Sequence, residues 1–150
     1  MSKLAFTLIE LIVVVVLIGI FIFLVIPREV KYVKILSPSD FYDFLYPNGK
    51  MIVFKDGTNL VIFPDKNLTN VNINLNFSEV YVYENGMFKR KYFDNVDDKE
   101  VVFEYSVKRG IGDSFILSGN DKFFVFKPFW IYTLDSFEEA KDKYLLKSGD

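Results

Sequence analysis

At 150 residues the chain is long enough for one domain, and the absence of Cys and His removes disulfides, thiol chemistry, the usual general base and the commonest transition-metal ligand. Its 18 basic and 20 acidic residues are interspersed and give a net charge of −2, so charge alone offers no nucleic-acid stripe. With 17 Phe and 9 Tyr, many set among Asn and Asp, the chain beyond its start reads as β structure rather than a helical bundle.

From Phe6 to Ile26 the residues are nearly all apolar. As a helix, about 21 residues rising about 1.5 Å each span roughly 30 Å, the thickness of a bilayer core. In lipid a single span must be helical, whatever the strand preference of Val and Ile. Leu, Ile, Val and Phe supply roughly −0.3 to −0.6 kcal/mol each for insertion, which outweighs the ~3 kcal/mol cost of Glu10. The run closes on Val25-Ile26-Pro27-Arg28 without an Ala-x-Ala-like site, so it is expected to stay attached as an anchor. A count of Lys and Arg alone sets Arg28, Lys31 and Lys34 after the run against Lys3 before it, and favours a cytoplasmic side after the span. A lone carboxylate in such a segment needs a partner, or must reach the head-group region.

The stretch Lys3-Leu4-Ala5-Phe6-Thr7-Leu8-Ile9-Glu10, followed by the apolar run, resembles the class III signal of type IV prepilins and type II secretion pseudopilins. The family usually has Gly where this chain has Ala5. The resemblance implies a leader of residues 1–5, cleavage between Ala5 and Phe6 by a prepilin peptidase, and N-methylation of the new Phe6 amine. It implies that Glu10 pairs with the Phe6 amine of an adjacent subunit during assembly, and that the helix bends at Pro27. It also implies other pilin or pseudopilin subunits and an assembly platform protein as partners. The expected place is the inner (cytoplasmic) membrane, single-pass, N-terminus cytoplasmic, with the remaining domain periplasmic or extracellular.

Residues 28–36 are read as an extension of this helix, ended by Ser37-Pro38, and a short helix follows over Phe41, Phe44 and Leu45. Strands are expected at 51–55 and 60–63 around Asp56-Gly57, at 71–77 from its alternation with Asn, and at 79–84 and 87–93 around Asn85-Gly86. Further strands are expected at 101–107, 114–117, 122–127 and 129–133. Ser136-Phe137-Glu138-Glu139 is a capping-box pattern opening a last helix, with Phe137, Ala140, Tyr144 and Leu145 on one face. The expected fold class is α+β: a transmembrane helix over residues 6–36 with its extension, then a small, mainly antiparallel, pilin-like β domain over 37–150 and a short C-terminal helix.

Asp94, Asn95, Asp97 and Asp98 form a cluster of oxygen ligands that calcium could use, set against a solvated acidic turn. Lys89-Arg90-Lys91 is a small basic spot, and Phe123 to Trp130 an aromatic run in which alternation assigns half the side chains to a core. No catalytic arrangement and no cofactor is expected. The function expected from the resemblance is a structural subunit of a type IV pilus-like filament, a pseudopilin or minor pilin; the alternatives are a tip-located minor pilin that binds DNA, a surface or a secretion substrate, and a tethered enzyme.

Overall fold

The computed structural model describes residues 7–25, 35–76 and 78–146. The chain divides into two compact units, Met1–Val33 and Lys34–Asp150. The described part of the first is one helix, α1 (Leu8–Val25).

The second unit opens with a 3-10 turn at Pro38–Asp40 that runs into α2 (Phe41–Leu45). Ten strands follow: β1 (Gly49–Phe54), β2 (Asn59–Ile62), β3 (Asn67–Thr69), β4 (Glu79–Glu84), β5 (Met87–Lys91), β6 (Val101–Lys108), β7 (Ile111–Gly112), β8 (Phe115–Gly119), β9 (Lys122–Phe126) and β10 (Ile131–Leu134). The last element is α3 (Phe137–Leu145). The strands form two five-stranded sheets, ordered β3-β2-β1-β6-β7 and β10-β9-β8-β4-β5, and every ladder is antiparallel.

Alternation places every second side chain of each strand on an inner face, where the two sheets meet. Phe103 and Tyr105 of β6 interleave with Phe115 of β8 and Phe126 of β9. Phe115 and Phe126 stack at 4.4 Å between ring centroids, and Tyr105 meets Phe126 edge-on at 4.8 Å. Phe41 of α2 packs on Phe103 at 5.8 Å, while Met51, Val61, Val80, Leu117 and Phe124 fill the remaining space. The outer face of the second sheet carries Ile116 and Val125, covered by Phe137, Ala140 and Tyr144 of α3. Ser136 caps that helix, its Oγ accepting from the Glu139 N–H at 3.2 Å, while Leu145 is left exposed. The outer face of the first sheet buries Ile52, Phe54 and Val101 under Phe93 and Val96.

Four two-residue turns shape the hairpins. Asn85-Gly86, Asp97-Asp98, Arg109-Gly110 and Asn120-Asp121 all have φ between 48° and 81°, the double left-handed geometry that matches strand twist. Only the first carries the Asn-Gly pair that marks such a turn in a sequence.

Segment 71–76 is not the strand that its alternation suggests. Its regular pairing is a single parallel bridge between Ile73 and Leu36, with the Leu36 N–H donating to the Asn72 carbonyl at 2.9 Å. Two asparagine side chains replace the ladder. The buried Asn59 amide donates to the Val71 carbonyl at 2.7 Å and accepts from the Val71 N–H at 2.9 Å. Asn120 does the same for the Asn74 carbonyl and the Asn76 N–H, at 2.7 and 2.6 Å. Side-chain amides thus take over the backbone groups of Val71, the Asn74 carbonyl and the Asn76 N–H without a neighbouring strand. Leu36 itself lies in that bridge, so the helical extension expected to reach residue 36 does not. Residues 26–34, with the expected bend at Pro27, and Phe77 lie outside the described residues.

One polar atom in this core lacks a partner: the hydroxyl of the fully buried Tyr105, which takes no hydrogen bond among the described residues. Burial pushes its pKa up, first through loss of water and then through Asp113 nearby. A Cβ on Gly112 would run into that hydroxyl and stand 3.2 Å from the ring carbon bearing it. An unsatisfied buried hydroxyl costs about 1–3 kcal/mol, so Tyr105→Phe is expected to raise stability by about 1 kcal/mol in denaturant melts. Gly112→Ala is expected to be destabilising on its own and clearly less so in the Tyr105→Phe background, where only the ring carbon at 3.2 Å has to give way. Equal costs in both backgrounds would show that the hydroxyl is not what excludes a side chain there.

Candidate functional site

The first turn of α1 is built by Thr7 and Glu10. The Glu10 N–H donates to Thr7 Oγ1 at 3.3 Å, and Glu10 Oε2 accepts from the Thr7 N–H at 2.8 Å and from its hydroxyl at 3.0 Å. This is a reciprocal capping box, with Thr7 as the cap and Glu10 three residues on. It satisfies donors that every helix start leaves open. The same Ser/Thr-x-x-Glu signal identifies the start of α3, and at Thr7 it lies within the Lys3–Glu10 segment that carries the family resemblance.

Glu10 is therefore not a stranded carboxylate within its own chain. Thr7 holds its pKa below the ordinary value, chiefly through the backbone N–H and then through the hydroxyl. Both bonds to the carboxylate fall on Oε2, and Oε1 takes none among the described residues. The carboxylate can thus cap its helix and still present one oxygen outward. The expected cleavage site at Ala5 and Phe6 and the Phe6 amine lie outside the described residues.

Beyond the cap, α1 has no polar face. Leu, Ile, Val and Phe occupy nearly every position, and each side chain from 8 to 23 is exposed. A helix that is apolar all round is one that other matter must cover.

Among the described residues no helix is long and apolar enough to cross a membrane. The 18 residues of α1 reach about 27 Å, and with Glu10 in the first turn the unbroken apolar stretch is shorter still, against a hydrocarbon core of about 30 Å. The expected transmembrane helix, the single-pass anchor in the inner membrane and the fold class built on them are corrected accordingly: the described residues form two antiparallel sheets and three short α-helices. The acid in the first turn marks the helix boundary rather than interrupting a span.

The other candidates separate clearly. Asp94, Asn95, Asp97 and Asp98 lie on the exposed connection from β5 to β6, where Val96 and Lys99 exchange both backbone hydrogen bonds around Asp97-Asp98. That turn directs its chain rather than gathering ligands, and among the described residues no group of three or more acidic side chains could hold a metal ion. In the aromatic run, Phe124 and Phe126 are core, Phe123 packs on Phe137 at 5.6 Å, and Phe129 and Trp130 are exposed at the β9–β10 turn. A cavity of about 300 Å³ is lined by Val53, Asn59, Ile73, Leu75, Arg90 and Val102 among others. Most of its polar side chains are already engaged: Asn59 holds Val71, Arg90 pairs with Glu79 at 2.9 Å and Lys55 with Glu100 at 2.9 Å. It therefore offers a ligand little directional bonding.

No family model matches the chain, and neither a curated protein nor a solved structure matches it. The pilin, secretion and methylation expectations accordingly draw no support from relatives.

The cap makes a titration prediction. A carboxyl whose folded pKa is depressed adds stability above its ordinary range, and that contribution is lost as pH falls through the depressed value. Thr7→Val is expected to return the Glu10 carboxyl toward the ordinary range in an NMR titration and to speed amide exchange over the first turn of α1. The backbone N–H of residue 7 remains in this variant, so the return is expected to be partial, and an unchanged Glu10 titration would show that the Thr7 hydroxyl does not hold the carboxyl down.

Proposed function

We propose that the chain is a structural subunit of a type IV pilus-like filament, a pseudopilin or minor pilin assembled through its N-terminal helix. The observation that carries this reading is α1: a capped helix, apolar on every side and exposed from residue 8 to 23, on a chain whose second unit closes its own core. Such a helix is stable in water only when other helices surround it. Copies of α1 from neighbouring subunits are the cover best matched in length and chemistry, and the segment from Lys3 to Glu10 supplies the signal such subunits carry.

In this reading a prepilin peptidase cuts between Ala5 and Phe6, the Phe6 amine is methylated, and an assembly platform protein feeds the subunit into the filament. The β sandwich is carried on the outside. Glu10 then acts twice. Through Oε2 it caps its own helix, and through Oε1 it accepts the positive Phe6 amine of a neighbour. A charge buried among apolar helices is tolerated only when paired, so the pairing penalises wrong axial registers. A second reading, a tip-placed subunit that binds a ligand, draws on the exposed Phe129 and Trp130.

Mass spectrometry of the native protein is expected to show loss of residues 1–5 and one methyl group on Phe6; an uncut chain counts against the reading. The two jobs of Glu10 separate in a pair of variants. Gln can complete a capping box but carries no charge. If the ion pair drives assembly, Glu10→Gln and Glu10→Ala both lose filaments in electron micrographs while the sandwich melts as in the wild type. Filaments from Glu10→Gln would confine Glu10 to capping.

A further inference from the structure

Strand β5 is the last strand of its sheet, so one side of its backbone is unpaired among the described residues. The closing pair of its two-residue hairpin, Glu84 with Met87, exchanges hydrogen bonds, as do Val82 with Lys89 and Val80 with Lys91. The N–H and C=O groups of Phe88 and Arg90 therefore face the open side. Proteins guard such an edge, and here the guard is charge: Lys89, Arg90 and Lys91 stand in a row, all exposed. Arg90 is tied to Glu79 at 2.9 Å, Lys91 lies over the Phe93 ring at 5.1 Å, and Lys89 has no ion pair among the described residues. Two copies of this edge repel each other. An acidic surface does not.

The chain carries one. Asp94, Asp97 and Asp98 are exposed and unpaired among the described residues. Their loop is held in place from within, by Val96 and Phe93 packed on Ile52, Phe54 and Val101, and by Lys99 with Asp56 at 3.2 Å. Both surfaces are thus fixed before any partner arrives, which lowers the entropic cost of contact. They are also different surfaces. A contact between different patches is heterologous, and unless the rotation closes a ring it repeats without end.

We infer that the acidic turn Asp94–Asp98 of one copy seats against the basic β5 edge of the next, a lateral contact between sandwich units that runs along an open assembly. This rests on the filament reading for its geometry, but its partner, a second copy of this chain, follows from the two complementary patches. Charge selects the pairing and sets its rate of formation, and the contact weakens with salt.

The test uses the full chain as a mixture of unlabelled and 15N-labelled protein, joined at low salt by a carbodiimide that links Lys to Asp without a spacer. Mixed-isotope peptides connecting Lys89 or Lys91 with Asp94, Asp97 or Asp98 are expected, falling about ten-fold between roughly 0.05 M and roughly 0.5 M salt. In Asp97→Asn with Asp98→Asn, which keeps side chains that tolerate the left-handed turn, the join from Lys89 to Asp94 is expected to fall similarly. Joins found only within one isotope overturn the contact. Filaments without the mixed joins overturn it too and leave the filament reading standing. Mixed joins in a chain that never forms filaments support the contact and count against the filament reading.

Discussion

Four rings between two sheets hold the second unit together. Phe103 and Tyr105 come from one sheet, Phe115 and Phe126 from the other, and their centroids lie 4.4 to 6.0 Å apart. Each ring excludes water from the others, and offset and edge-on arrangements add to the area they bury. The cost of such density is visible at Tyr105, whose hydroxyl is buried with no partner among the described residues. Gly112 is small where that hydroxyl needs room.

Because those rings, with Phe41 and Leu36, close the core, the sandwich draws its stability from residues at position 36 and beyond. The apolar surface of α1 plays no part in the described core clusters. It is a debt left to other molecules. A helix exposing apolar side chains on all sides is unstable in water alone, and no helix among the described residues is long and apolar enough to cross a membrane. Helix-to-helix assembly meets both constraints. The charged side chains then matter in two places for one reason: Glu10 inside the proposed helix packing and the β5 edge on the outside each tie a specific partner position to a charge that is costly to leave unmatched.

The sandwich also shows how asparagine substitutes for a strand. Segment 71–76 alternates apolar residues with Asn as an ordinary half-buried strand would. Its inward residues Val71, Ile73 and Leu75 do pack against the core. What fails is the ladder, because Asn59 and Asn120 occupy its backbone groups with side-chain amides. Period-two alternation reports which side chains face a core and is silent on what the backbone bonds to.

Local chemistry alone determined much of this protein. Asn85-Gly86 and Asp56-Gly57 mark their hairpins, Ser136 and Glu139 mark α3, and the alternation of Val101–Val107 marks a strand with one buried face, since each signal acts within a few residues. The Thr7–Glu10 cap was legible by the same rule, and the pull of an apolar run hid it. Tertiary structure decided the rest. Arg109-Gly110 and Asn120-Asp121 take left-handed turns because the strands on either side are already paired, and Asp97-Asp98 does so inside the isolated Val96–Lys99 bridge, none of which their own residues require. The division into two stacked sheets was decided by which aromatic faces meet across the core. Tertiary pairing also placed Leu36, which segment 72–74 draws into a bridge. These are choices between partners distant along the chain, and no short-range pattern encodes them.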